Sequence, residues 1–303
     1  MRRLLIIGCG DVALRMLPLV RDRYRIYALS HSPERLAGLR ALGVTPILGD
    51  LDRAATLAPL AGLATDVVHA APPQLRGTRD LRTARLIAAL GKGQSLPQQL
   101  VYISTSGVYG DCAGAVIDET RPVRPTTERA QRRVDAEQRL RHWGARTGVR
   151  ISLLRAPGIY AADRLPVERL SKGTPALADA EDSYVNHIHA DDLARLVVAA
   201  LHRATPNRTY NAVDDVPQKM GEYFDLVADT FGLPRPPRIP RAEAARVIPA
   251  PLLSFMNESR RITNRRIKME LRCRLQYPTV HDGLAAALAA RGAGDDGRRG
   301  ARA

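Results

Sequence analysis

The chain has 303 residues, 45% of them apolar, which is enough for one large α/β domain or a core domain with a smaller lobe and excludes wholesale disorder. Its net charge is +15, yet only four of its 46 basic residues are lysines and aromatics are only 4%. With no nucleic-acid reader motif beside them, the arginines point to a small anionic ligand rather than to nucleic acid. No stretch approaches the ~18 apolar residues of a membrane helix, and the apolar run Leu4–Ile7 is too short for a secretory signal, so a cytoplasmic protein with no membrane partner is expected.

Short apolar runs alternate with helical patterns along the first half. Strands are predicted at Leu4–Ile7, Arg25–Leu29, Thr45–Leu48, Val67–Ala70, Leu100–Ser104 and Arg150–Leu154. Helices are predicted at Ala13–Arg21, Pro33–Leu42, Arg53–Leu60, Gly77–Leu90 and Thr126–Thr147. This rhythm belongs to a parallel sheet with crossover helices, and strands with little alternation suit a sheet covered on both faces. After Pro157-Gly158 the elements shorten and Pro and Gly become dense. A helix at Ala190–His202 and a strand at Thr209–Val213 then return to the main sheet. The expected organisation is a doubly wound α/β fold of Rossmann type over residues 1–155, with 183–213 rejoining it. A smaller C-terminal substrate lobe takes 156–182 and 214–290, and a disordered tail takes 291–303.

The motif Gly8-Cys9-Gly10-Asp11-Val12-Ala13 follows the first strand and opens a helix, fitting G-x-G-x-x-G/A. Its glycines give a tight turn and let a pyrophosphate approach the backbone, and the helix N-terminus offers free N–H groups. Gly8, Gly10, Asp11 and Val12 are therefore the expected dinucleotide turn. An acid at the end of the second strand would hold a ribose 2′-hydroxyl; here stand Ser30, His31 and, further on, Arg35, which can accept a 2′-phosphate. NADP is thus preferred, with NAD possible; Arg35 reads equally as a solvated helix charge. Asp50 and Leu51 end the third strand and Ala70, Ala71 and Pro72 end the fourth, where ligands of open α/β sheets lie. Asp50 suits an adenine amino group or, alternatively, a helix cap.

Tyr102-Ile103-Ser104-Thr105-Ser106-Gly107-Val108-Tyr109-Gly110 resembles the fifth-strand motif of extended short-chain dehydrogenases/reductases and NAD-dependent epimerase/dehydratases. Further landmarks follow in family order: Asp118-Glu119, Leu154-Arg155-Ala156-Pro157-Gly158 and Asn186-His187-Ile188-His189-Ala190-Asp191-Asp192. The resemblance spans about residues 4–288 and is closest to the atypical, epimerase-like members. It implies an NAD(P)-dependent oxidoreductase or epimerase acting on a small anionic, nucleotide-sugar-like substrate, with Thr105 at the catalytic hydroxyl position. The family's Tyr and Lys fall at Arg129 and Arg133, which depart from its pattern, and a guanidinium cannot cycle a proton. Either Tyr109, Asp118 or Glu119 moves the proton, or the protein is a non-catalytic NADP-binding sensor. Arg129 and Arg133, one turn apart, can clamp an anion or form a solvated basic face; Arg155 and lobe arginines such as Arg260, Arg261 and Arg265 are further substrate candidates. His187-x-His189-x-Asp191 has the alternation of a metal site, but the resemblance implies a strand and then Asp191 or Asp192 as a helix cap, so no metal is expected. A homodimer is compatible with this reading.

Overall fold

The computed structural model describes residues 1–300. Seven parallel strands form the central sheet: β1 (Arg2–Ile7), β2 (Tyr24–Ser30), β3 (Thr45–Leu48), β4 (Asp66–His69), β5 (Gln99–Thr105), β6 (Arg150–Ala156) and β7 (Arg208–Asn211). Their order is β7-β6-β5-β4-β1-β2-β3, which is the doubly wound arrangement expected. The chain reverses its direction of travel across the sheet between β1 and β4, and in such sheets ligands lie beyond the carboxyl ends of the strands at that switch point.

The unbroken apolar runs have a direct cause. Leu4 and Ile6 join one buried cluster, whereas Leu5 and Ile7 join another. Alternate residues of a strand face opposite sides of a sheet, so a strand covered on both faces must be apolar throughout. Helices α1 (Asp11–Val20) and α5 (Ala190–Arg203) supply the first cluster through Met16, Leu17, Leu193 and Val197. Helices α3 (Leu81–Leu90) and α4 (Glu128–Thr147) supply the second through Leu86, Leu140 and Trp143. The short α2 (Arg35–Ala41) links β2 to β3.

Caps adjust several predicted boundaries. Asp80 accepts from the Thr83 amide at 2.9 Å, so α3 begins at Leu81 rather than Gly77. Thr127 caps α4, and Gly148 ends it at φ +77°. The helix expected over 53–60 is a 3-10 helix, Ala54–Leu60, containing Pro59. Helix α5 is capped by the His189 ring, which accepts from the Asp191 amide at 3.2 Å, rather than by Asp191 or Asp192. Asp192 is fully buried and accepts from the Gln276 and Tyr277 amides at 2.7 and 2.8 Å, tying the C-terminal segment to α5.

A third apolar cluster, including Leu170, Leu177, Phe224, Val227 and Leu284, sits beyond the sheet. It draws on α6 (Met220–Phe231) and the start of α7 (Val280–Gly300). Helix α7 runs through Gly300, so residues 291–300 are helical where a disordered tail was expected. Once a helix is nucleated, each added residue gains a hydrogen bond for little further ordering, which carries this one past Arg291. Residues 301–303 lie outside the described residues.

Candidate functional site

The turn from β1 into α1 is built around two glycines with different tasks. Gly8 has φ +89°, and a Cβ there would come within 2.5 Å of the Ala71 backbone nitrogen. Gly10 caps α1, and a Cβ there would meet nothing within 4 Å. Gly8 is thus required for packing, while Gly10 leaves open space at a helix N-terminus, where unpaired N–H groups favour an anion. A groove of about 250 Å³ lies over this turn, lined by Gly8, Gly10, Asp11, Val12, Ala70 and Thr105 among others.

The expected cofactor residues divide by position. The Arg35 guanidinium folds back to donate to the Cys9 carbonyl at 2.6 Å, which puts its charge beside the glycine turn. His31 is exposed at the end of β2, and Ser30 is buried there with its hydroxyl donating to the Ser32 carbonyl at 3.2 Å. Asp50 uses Oδ1 to accept from the Asp52 amide at 2.8 Å, a local turn contact, while the helix that follows, Ala54–Leu60, has Arg53 at its N-cap position. Leu51 is buried in the core, with its carbonyl accepting from Arg85. Ala71 packs beneath Gly8, whereas Ala70 lines the groove and Pro72 lines the larger cavity beyond it. Asp11 is ion-paired to Arg15 at 2.8 Å and to Arg164 at 3.1 Å, and these arginines hold its carboxyl below the usual range against the opposing effect of burial.

Beside the groove lies a cavity of about 510 Å³, and Thr105, Arg133, Pro157, Ile159 and Arg164 line both. Thr105, at the end of β5, accepts from the Gly107 amide at 3.2 Å, which fixes its hydroxyl on this shared wall. The cavity wall carries Arg129, Arg132, Arg133, Arg164, Arg169 and Arg260, with Glu258 as a carboxylate among them. Arg133 donates to the Tyr102 hydroxyl at 2.8 Å and to the Ile103 carbonyl at 3.0 Å, both uncharged. Burial lowers the pKa of Arg129, and Arg133, Arg132 and Arg260 push it the same way while Glu258 opposes them. Burial likewise brings Arg169 down to about 10, and its guanidinium lies 4.1 Å from the Phe224 ring centre. A cavity that crowds cations to this degree is electrostatically suited to an anion.

Several expected residues do not reach it. Tyr109 is buried, donates to Asn211 Oδ1 at 2.7 Å and stacks under the Arg155 guanidinium, so its hydroxyl is already committed. Arg155 itself is buried against Glu137 in a 2.7 Å ion pair and lines neither space. Glu119 accepts from the Asn211 amide at 2.9 Å, and Asp118 accepts from the Thr120 amide at 2.8 Å. Of the lobe arginines, Arg260 lines the cavity, paired to Glu258 at 2.7 Å, whereas Arg261 donates to the Gly114 carbonyl and Arg265 to Met269 Sδ. Sequence reasoning missed Arg132, Arg164, Arg169, His187 and Tyr223 as cavity residues. Arg132 was in reach, since its spacing of three from Arg129 sets it on the same helical face; Arg164, Arg169 and Tyr223 reach the wall from the lobe, and His187 through strand pairing with Gly158. Among the described residues, no group of three or more His, Cys, Asp or Glu is placed to hold a metal ion. Nor, among them, is any helix long and apolar enough to cross a membrane.

The family model described as NAD dependent epimerase/dehydratase family matches residues 44–212, more than half of the chain. The chain belongs to this family. A functionally unknown conserved protein from Silicibacter pomeroyi is 28% identical, with TM-score 0.76 and coverage of 96% of this chain and 99% of that one. UDP-glucose 4-epimerase from Thermotoga maritima, solved with UDP-glucose, shares the fold at TM-score 0.76 and 15% identity, covering 95% of this chain and 97% of its own. A dTDP-glucose 4,6-dehydratase double mutant from Streptomyces venezuelae, with NAD and DAU bound, does so at TM-score 0.76 and 19% identity, covering 95% and 96%. No curated protein sequence matches the chain. Arg129 and Arg133, at the positions where the resemblance implies the family's Tyr and Lys, place cations on the wall of the larger cavity.

Proposed function

We propose that this epimerase/dehydratase family member is an atypical extended short-chain dehydrogenase/reductase. It binds NADP, or less tightly NAD, over the Gly8–Ala13 turn and acts on a small anionic, nucleotide-sugar-like molecule in the adjoining cavity. The observation that carries the reading is the adjacency of the two spaces, which share Thr105 in their walls. Gly10 and the α1 N-terminus suit a pyrophosphate, and Arg35 beside the turn suits a 2′-phosphate. A bound nicotinamide supplies hydride transfer. The chain's own part is to hold the dinucleotide, to offer the Thr105 hydroxyl to a substrate oxygen, and to fix an anionic group with Arg129 and Arg133. Two cations there attract a dianion, and guanidinium forks can bind it bidentately.

A second reading, a cofactor-binding sensor without turnover, is favoured by Arg129 and Arg133 alone, since neither can exchange a proton. Assays of a sugar-nucleotide panel separate the two, with nicotinamide absorbance for net redox and NMR of product stereochemistry for redox-neutral epimerisation. The enzyme reading expects slow turnover by the wild type and faster turnover by Arg129→Tyr plus Arg133→Lys, because positioned acid/base catalysis contributes about 10²–10⁴-fold. Firm cofactor binding with no turnover in either protein across the panel would select the sensor.

A further inference from the structure

The wall of the larger cavity includes a histidine to which neither reading above assigns a task. His187 lies on a short strand, His187–His189, paired in parallel with Gly158–Tyr160. That partner segment continues from β6, whose Ala156 pairs with Thr105 of β5. Topology therefore seats His187 opposite Gly158, two residues beyond the partner of Thr105, and both side chains line the same cavity.

The ring is held on its faces and open on one edge. It is 5% exposed, stacked on the Tyr223 ring with centroids 4.2 Å apart, and met edge-on by Tyr160 at 6.1 Å. Its Nδ1 is buried with no hydrogen-bond partner. Its other edge faces Gly158, which is exposed to the cavity: a Cβ there would stand 3.2 Å from His187 Cδ2 and 3.7 Å from Nε2. Glycine at 158 thus leaves uncovered the edge that a larger residue would seal.

The tautomer follows from these contacts. A proton on Nδ1 would be a buried donor with no acceptor, which is the costlier arrangement, so the neutral ring carries its proton on Nε2. Burial, which pushes the imidazole down to about 4, agrees with a neutral ring at pH 7. Two other titratable groups of this wall, Glu258 and Tyr160, are engaged by hydrogen bonds. Glu258 accepts from Thr126 Oγ1 and from Arg260, each at 2.7 Å. Tyr160 donates to the Thr279 carbonyl at 3.1 Å, and burial holds the hydroxyls of Tyr160 and Tyr223 well above their ordinary range.

We propose that His187 is a ligand-binding residue of this cavity, its Nε2–H donating to an oxygen of the anionic substrate. The proposal rests on the cavity being the substrate site. It names a hydrogen bond that binds and polarises an oxygen, as a neutral imidazole can, and moves no proton from the ring.

The test uses inorganic phosphate as the probe oxyanion on NAD-loaded protein with ¹⁵N-labelled histidine. NMR follows the ring nitrogens, and calorimetry gives the affinities for phosphate and, separately, for NAD. His187→Phe identifies the His187 signals and keeps a ring on Tyr223; Gly158→Ala leaves the histidine in place but crowds its open edge. Phosphate is expected to shift the His187 Nε2 signal in the wild type. Both variants, folded by thermal melt, are expected to bind phosphate about tenfold more weakly, the loss of one hydrogen bond to a charged group, with NAD affinity unchanged. The proposal is overturned if phosphate does not bind the wild type, if it binds without moving His187, or if both variants bind it as the wild type does. Phosphate binding that is lost in Arg133→Gln but not in these variants would overturn the role of His187 and leave the cavity reading intact. Failure of NAD to bind at all would instead remove the reading beneath it.

Discussion

Gly8 and Gly10 look alike in the sequence and are expected to fail differently when replaced. Gly8→Ala places a methyl against the Ala71 backbone at a φ of +89°, and is expected to cost about 1–3 kcal/mol of stability, read as a lower melting temperature. Gly10→Val projects into open space and is expected to leave the melting temperature near that of the wild type while abolishing dinucleotide binding. Asp214 has two carboxylate oxygens buried without partners, and its pKa is pushed up to about 8 by burial and by Asp215. The folded state favours the protonated form, so this stabilisation is complete below the unfolded value near 4 and is lost as pH rises through about 8. Asp214→Asn is therefore expected to flatten that decline, gaining stability over the wild type at pH 8–9 and little at pH 4; parallel denaturant titrations across this range would contradict it. Single residues were the least legible scale in the sequence. Arg155 and Tyr109 carried the right family positions, but a sequence does not reveal that Glu137 and Asn211 already engage them.

At the scale of elements, the strands were readable because covering both faces of a sheet demands unbroken apolar runs, as in Leu4–Ile7 and Leu100–Ser104. Boundaries were less so, since they depend on which side chain caps: Asp80 moved the start of α3, and His189 took the place expected for Asp191 or Asp192. Asp192 was instead spent on the Gln276 and Tyr277 amides, a contact 84 and 85 residues away that local pattern cannot show. Removing it leaves two part-buried amide donors without their carboxylate. Asp192→Ala is expected to cost about 3 kcal/mol or more, since each hydrogen bond to a charged group is worth about 1.5–3 kcal/mol. Hydrogen exchange should report the loss first at the segment around Tyr277. A variant whose 276–277 amides stay as protected as in the wild type would show that α5 does not hold that segment.

For the molecule as a whole, the arginine excess gains a location: six of these residues line one cavity that lies beside the groove over the glycine turn. The sequence indicated the turn and the pair Arg129 and Arg133, because motif and helical spacing are local. It could not indicate Arg164 and Arg169, which come from the lobe and are brought to the same wall by tertiary packing. The proposed function requires the groove to be a dinucleotide site, and calorimetric titration of NADP and NAD into the wild type and Gly10→Val tests that most directly. The expected result is saturable micromolar binding of both nucleotides to the wild type, NADP tighter by about 1–3 kcal/mol through Arg35, and no heat of binding in the variant. Absence of binding of either nucleotide to the wild type, or equal binding to Gly10→Val, would contradict it.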